Sequence, residues 1–398
     1  MQAILRVSVG FLCLALGCGT PPGTSGTDAG GNARDAAVLP SDAASPSRDA
    51  PFDAGPFDAA RPPPGLAGAP MPLISRGVPA FASSTDADHG PQRANDTSPN
   101  LTWSSATIPA SLAYDLSGVP EADRQSVLVA LYAAGAPDYF AHIEAWEQLP
   151  LDYTIASNDA PGGGVPPETG WNVLTTVHDN AFSSREHLVD LHGGNWIRIE
   201  VTRASDVAHV GLDMDVHAAP SGVSDAWLFM GDSITFTTLT YAGSDLPTRV
   251  NTLDPTHWPA VICGAQGGTN TTSALAIIDD AMREFLGPYV VLAYGTNDHA
   301  TELHMEELVQ HVIAAGRIPV IPSVPWRDQN QADPIAINAA IDQLAARYPQ
   351  IVRGPDLWTF FTDRNDLIAP GDIHPNDQGR AELRRLWAEA MVRIYAAH

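Results

Sequence analysis

Ala226-Trp227-Leu228-Phe229-Met230 is an apolar run that stops abruptly at Gly231-Asp232-Ser233-Ile234-Thr235. A short continuous apolar run reads as a strand buried on both faces, the mark of a parallel sheet, and open α/β sheets place their chemistry just beyond the carboxyl ends of such strands. Ser233 is expected there, as a small reactive side chain delivered at the end of a buried strand. Gly-Asp-Ser is also ordinary turn chemistry, so the reading depends on what surrounds it.

Downstream, strand and helix patterns alternate, which calls for a parallel sheet covered on both faces. Pro259 to Cys263, Tyr289 to Tyr294 and Ile318 to Pro322 read as strands. Ser273 to Leu286, Leu303 to Ala315, Pro334 to Arg347 and Asp377 to Ala397 read as helices, with Gly287-Pro288 and Gly316 as stop signals. The strand count is near five. The loops that follow these strands are Gly231-Asp232-Ser233, then Gly264-Ala-Gln-Gly267-Gly268, then Gly295-Thr296-Asn297-Asp298; His374-Pro375-Asn376, with Gly379, precedes the last helix.

Ester hydrolysis needs a nucleophile, a base to take its proton, and donors for the oxyanion of the tetrahedral intermediate. The four blocks, in this order, resemble the SGNH or GDSL hydrolases over essentially all of residues 226 to 395. The resemblance implies a three-layer α/β/α domain with Ser233 as nucleophile and oxyanion donor. It makes Gly267 and Asn297 the second and third donors. A glycine at 267 would let a backbone N–H approach the developing charge. His374 is placed to be the general base, since a neutral imidazole accepts the serine proton and returns it to the leaving alcohol. One position departs from the family: an Asp usually stands three residues before the histidine, and that place is Gly371, with Asp372 next. Asp372 is favoured as the acid that orients His374, with Gly371 turning the loop to bring it round; the alternative is a backbone carbonyl that orients His374 in a Ser-His dyad. His299, His304 and His311 lack a metal-ligand spacing and read as surface or loop residues. No glycine-rich dinucleotide or phosphate loop occurs, so neither cofactor nor metal is expected.

Upstream of the apolar run the pattern changes to period two. Ile197, Ile199 and Val201 alternate with Arg198, Glu200 and Thr202, and Leu212, Met214 and Val216 alternate with Asp213, Asp215 and His217. Ser126 to Ala133, Tyr153 to Ser157, Trp171 to Val177 and Glu186 to Leu191 are further strand candidates, separated by turns such as Gly162-Gly163-Gly164. Many short strands at this spacing point to an all-β sandwich. Ala94-Asn95-Asp96, Trp103-Ser104, Tyr153-Thr154-Ile155-Ala156-Ser157, Trp171 and Trp196-Ile197-Arg198-Ile199 resemble the discoidin family of galactose-binding-like jelly rolls. That family implies a ligand-binding module for carbohydrate or lipid headgroups. Trp103, Trp171 and Trp196 are either sugar platforms or core residues, since aromatic side chains dominate burial in small sandwiches.

At the amino terminus, Arg6 and the apolar run Val7 to Leu16 have the layout of a secretory signal peptide and are too short to span a bilayer. Ala15-Leu16-Gly17-Cys18 resembles the bacterial lipobox, with Ala15 where Leu or Val is more usual. The resemblance implies lipidation of Cys18, and Gly19 in place of Asp implies release to the outer membrane of a two-membrane cell. Residues 18–72 are rich in Pro, Ala, Gly, Ser and Asp, including Pro62-Pro63-Pro64. Such a segment buries too little to offset its conformational entropy and is expected to be an extended tether.

The chain of 398 residues has room for two folded domains. These are expected over 73–219 (β-sandwich) and 222–398 (SGNH domain), after a signal peptide at 1–17 and the tether. A formal charge of −25 argues against nucleic acid and anionic lipid as partners. Of the cysteines Cys13, Cys18 and Cys263, two lie in the leader, so Cys263 is expected to be a small buried hydrophobe. Together these features lead to an exported, lipid-anchored serine esterase at the outer membrane or cell surface. Its expected substrate is an acyl ester, with an acetyl ester on carbohydrate favoured. A lipase or acylesterase on small esters is the alternative enzyme, and a non-catalytic carbohydrate-binding lipoprotein the alternative from another class. For the anchor the test is direct. Full-length chain from a lipoprotein-processing bacterium should enter the detergent phase with an acyl mass on Cys18; recovery from the aqueous phase with residue 18 unmodified would exclude it.

Overall fold

The computed structural model describes residues 67–96, 102–133, 148–206, 208–240 and 246–397, all of them in one compact unit, Pro56–His398. Cys18, the leader and residues 18–66 of the expected tether lie outside the described residues. Residues 67–72, which composition places in the tether, are packed. Gly68 N–H donates to Ser224 O at 3.2 Å, Ser224 Oγ–H donates to Ala69 O at 2.9 Å, and Met71 is fully buried.

Among the described residues, nine strands form the all-β region: β1 Ala80–Ala82, β2 Trp103–Ser104, β3 Ala110–Asp115, β4 Ser126–Ala133, β5 Pro150–Asn158, β6 Asn172–Val177, β7 Ser184–Asp190, β8 Trp196–Ala204 and β9 Gly211–Ala218. They pair antiparallel in two sheets, of order β1-β3-β8-β5-β6 and β2-β9-β4-β7. The period-two pattern dictates what lies between the sheets. Val127, Val129 and Leu131 of β4, Ile197, Ile199 and Val201 of β8, and Leu212, Met214 and Val216 of β9 share one core. Trp103 and Trp196 are fully buried and cannot be sugar platforms. Trp171 is half-buried, with the Arg198 guanidinium 4.2 Å from its ring centre.

The remaining strands, β10 Ala226–Gly231, β11 Ala260–Ala265, β12 Tyr289–Ala293, β13 Ile318–Ile321 and β14 Val352–Arg353, form one parallel sheet of order β11-β10-β12-β13-β14. Its helices are α1 Ser233–Thr240, α2 Leu246–Leu253, α3 Thr271–Leu275, α4 Ile278–Glu284, α5 Met305–Ala314, α6 Ala332–Arg347, α7 Leu357–Asp363 and α8 Asp377–Tyr395. Both faces are covered, and β10 shows why its sequence is continuously apolar. Leu228 and Met230 pack on α3 to α6, while Trp227 and Phe229 pack on α2 and α8. Cys263 is buried in that second layer. The helix expected over Ser273 to Leu286 is two helices, broken at Ala276–Ile277. Asn270 caps the first, and the break turns Ile278, Ala281 and Met282 of the second into the same core as Ala274.

The two regions are joined through apolar surface. The outward face of β4, Leu128, Ala130 and Tyr132, belongs to the same buried cluster as Met282 and Phe285. Polar contacts flank that seam: Leu286 N–H donates to Glu186 Oε2 at 2.9 Å, and Arg185 lies 3.4 Å from Glu284.

Sheet order and register position the chemistry. β10 lies between β11, which follows it in sequence, and β12, which comes next, so the point where strand order reverses lies at the carboxyl end of β10. There the chain turns into α1 through Asp232, whose buried carboxylate accepts the Ile234 N–H at 2.9 Å. Burial pushes the Asp232 carboxyl up to about 6, against the lowering effect of the Ile234 N–H, the Thr296 hydroxyl and the His374 charge, with Asp298 adding to the rise. The folded value lies above the ordinary 3.8, so this group's contribution to stability is complete below about pH 4 and is lost as pH rises through 6. Asp232→Asn keeps the acceptor and removes the charge. Its melting temperature relative to the parent should rise from pH 4 to pH 8, by the equivalent of roughly 3 kcal/mol at most; a gap that does not change with pH would refute the buried charge.

Candidate active site

Parallel register brings three loops out side by side. Gly231 at the end of β10 pairs with Ala265 at the end of β11 and with Ala293 at the end of β12. Ser233 follows the first by two residues, Gly267 follows the second by two, and Asn297 follows the third by four. The turn is crowded: a Cβ on Gly231 would stand 2.4 Å from Thr235 Oγ1 and 2.9 Å from the Ala293 carbonyl oxygen, so only glycine lets β10 run into α1 here.

Gly267 is exposed, and a Cβ built on it would lie 3.9 Å from Ser233 Cβ, which places its backbone beside the serine. Its loop is tied to β10, because Gln266 N–H donates to Gly231 O at 3.0 Å and Thr269 Oγ–H reaches the same carbonyl at 3.2 Å. Asn297 is half-buried and donates one Nδ2–H to Thr269 O at 2.9 Å, which fixes the amide plane and leaves its second N–H for another acceptor. Next to it, the buried Asp298 carboxylate accepts the Thr271 N–H at 3.0 Å and the Thr271 hydroxyl. The loops after β11 and β12 are thereby held to one another. Asp298 closes the Gly295-Thr296-Asn297-Asp298 block, and nothing in the spacing of that block shows a partner 27 residues away.

His374 arrives from the far end of the chain on a small hairpin closed by the Ile368–Pro375 bridge, with Ala369 N–H donating to His374 O at 3.0 Å. Ala369-Pro370-Gly371-Asp372 is its turn. Asp372 N–H donates to Ala369 O at 3.0 Å and Gly371 has φ +70°, the type II arrangement, with proline at the second place and glycine at the third. Asn376 caps α8 behind it by accepting the Gly379 N–H at 2.9 Å. Arg384 of α8 donates to Thr238 O of α1 at 3.2 Å, so the helices carrying the two halves of the site are tied together.

The structure brings Ser233, His374 and Asp372 into one chain of hydrogen bonds. Ser233 Oγ lies 2.8 Å from His374 Nε2, and His374 Nδ1 lies 2.8 Å from Asp372 Oδ1. Because a carboxylate only accepts, Nδ1 carries the proton and the Nε2 lone pair faces the serine hydroxyl. Burial pushes the Asp372 carboxyl up, but the Ile373 N–H at 2.6 Å, the His374 ring and its charge outweigh that and hold it below its ordinary value. The Asp372 side chain, and not a backbone carbonyl, therefore contacts the ring nitrogen. His299, His304 and His311 stand apart, each on a carboxylate: Asp333 at 3.3 Å, Glu307 at 3.2 Å and Asp279 at 2.7 Å respectively. No group of three or more His, Cys, Asp or Glu among the described residues is placed to hold a metal ion.

Residues 229–381 match the GDSL-like Lipase/Acylhydrolase family. No curated protein sequence matches the chain. Among solved structures, the lipase/acylhydrolase from Enterococcus faecalis is 18% identical, with a TM-score of 0.35 over 42% of this chain and 96% of that one. The chitosan-binding module 1 of a chitosanase/glucanase from Paenibacillus sp. IK-5 is 20% identical, with a TM-score of 0.28 over 36% of this chain and 98% of that one. A Bacillus subtilis protein is 16% identical, with a TM-score of 0.39 over 79% of this chain and 88% of that one. The family match falls on the parallel-sheet region with Ser233 at its switch point, and that region is an ester hydrolase.

Proposed function

We propose that the protein is a serine esterase that removes small acyl groups, acetyl above all, from carbohydrate, and that it works at a membrane surface to which Cys18 anchors it. The observation that carries the catalytic reading is the unbroken hydrogen-bond chain Ser233–His374–Asp372. In this mechanism His374 Nε2 takes the Ser233 proton as Oγ attacks the ester carbonyl, and the imidazolium formed is stabilised by Asp372 across Nδ1. The N–H groups of Ser233 and Gly267 and the free Nδ2–H of Asn297 receive the oxyanion. The protonated histidine then gives its proton to the leaving alcohol, and a water repeats the sequence on the acyl-enzyme.

Site exposure supports a bulky substrate. Gly267 is exposed, Ser233 is half-buried, and the side chains of His374 and Asp372 are 38% and 46% exposed. An ester carried on a large polymer reaches such a site without entering the protein. The sandwich packed onto the hydrolase region by apolar contact supports the same reading, since that join holds a binding module at a constant distance from the nucleophile.

Four substitutions at three positions test the proposal with a chromogenic acetate and with acetylated oligosaccharides. Ser233→Ala should abolish turnover, and a serine-directed phosphonate should form its single adduct at that residue; activity that survives the substitution would overturn the reading. Asn297→Ala should lower kcat about a hundredfold to a thousandfold, the loss for one oxyanion donor. Asp372→Ala and Asp372→Asn should lower kcat about a thousandfold or more with the fold intact, whereas a loss below about tenfold would leave Ser233 and His374 as a dyad.

A further inference from the structure

The place where a carboxylate would be expected is Gly371, and that residue's backbone is gripped from outside its own hairpin. Gly371 N–H donates to Asp328 Oδ2 at 3.1 Å, and Gly371 O accepts from Gln329 Nε2 at 2.5 Å. The two peptide groups that flank Cα of the left-handed residue are therefore both held by one loop, residues 326–331, that follows β13. The same loop is anchored at its other side. The buried Arg327 guanidinium donates through Nη1 to Thr296 O at 2.5 Å and through Nε and Nη2 to Asn330 O at 3.2 Å. Asn330, with φ +30°, donates to Asp333 Oδ2 of α6 at 2.9 Å. Thr296 is the residue before Asn297.

We infer that Asp328 and Gln329 are positioning residues for the catalytic acid: they hold the Pro370-Gly371 turn so that a carboxylate displaced by one residue, Asp372, meets His374 Nδ1. The inference rests on the proposal that Asp372 orients His374. A type II turn is free to flip its central peptide, and glycine at its third place offers little resistance. Fixing both Gly371 peptide groups removes that freedom. In the turn as held, Asp372 Oδ1 lies 2.8 Å from His374 Nδ1 while the same oxygen accepts the Ile373 N–H at 2.6 Å. Through Arg327 and Thr296, one loop sets the acid-histidine hairpin relative to the strand end that carries the oxyanion donor.

The test is a double-mutant cycle in full-length protein with a chromogenic acetate. Asp328 and Gln329 are exposed, so their substitution leaves the core intact. Asp328→Ala with Gln329→Ala should lower kcat about tenfold, the loss expected for two hydrogen bonds, at unchanged KM. Asp328→Asn, which keeps an acceptor, should retain most of the activity. In an Asp372→Asn background the same pair of substitutions should change kcat less than about twofold, because the acid they position is already gone. Equal losses in both backgrounds, or no loss in the parent, would overturn the inference. Failure of the underlying reading shows separately, as an Asp372→Asn variant that loses less than about tenfold, and it overturns the positioning role as well.

Discussion

The site is built around a steric constraint: Gly231 lies so close to Thr235 and to the Ala293 carbonyl that no side chain fits between them. That crowding allows β10 to end level with β11 and β12 and turn at once into α1, with Asp232 inward on the Ile234 N–H and Ser233 outward. If the turn were wider, Ser233, Gly267 and Asn297 would not share a rim. The charge buried in making the turn, on Asp232, is disfavoured by burial, so local stability is given up where the nucleophile is held.

The second half of the site reaches the first across 141 residues of sequence. It does so on a hairpin of few residues, whose geometry is set by turn chemistry and by neighbours. The capped start of α8, the Arg384 bond to α1 and the grip on Gly371 are three separate fastenings of that hairpin. Surface hydrogen bonds are individually modest in energy. Here their effect is geometric, since a small displacement of a catalytic group costs far more in rate than the bond contributes to stability.

The all-β region is held to the parallel-sheet region by the face of β4 that the sandwich does not use. Leu128, Ala130 and Tyr132 alternate with core residues Val127, Val129 and Leu131, so β4 is apolar on both sides, and the second side is covered by α4 and the residues after it. A strand with one wet face would have shown polar alternation. The unbroken apolar stretch of β4 therefore records the contact between the two regions.

The sequence by itself determined the elements whose residues interact with near neighbours or repeat with a fixed period. The period-two strands, four of the five strands of the parallel sheet and the last helix were legible, because burial on one or two faces leaves a regular mark, and the four loop blocks were legible by resemblance; β14, Val352–Arg353, is too short to leave such a mark. It did not show α1, α2 or α7. Ser233 to Thr240 is rich in threonine and has no apolar stripe, and it is helical because of where β10 ends. The sequence favoured Asp372 over a carbonyl as the group facing His374 Nδ1 without deciding the choice. That choice belongs to tertiary structure, because the direction of the Asp372 side chain follows from the φ of Gly371, and Gly371 is held by Asp328 and Gln329, 43 and 42 residues away in sequence. The bonds from Asp298 to Thr271 and from Arg327 to Thr296 escaped the sequence for the same reason. Polar contacts between loops carry no period, and only the packed sheet brings their ends together.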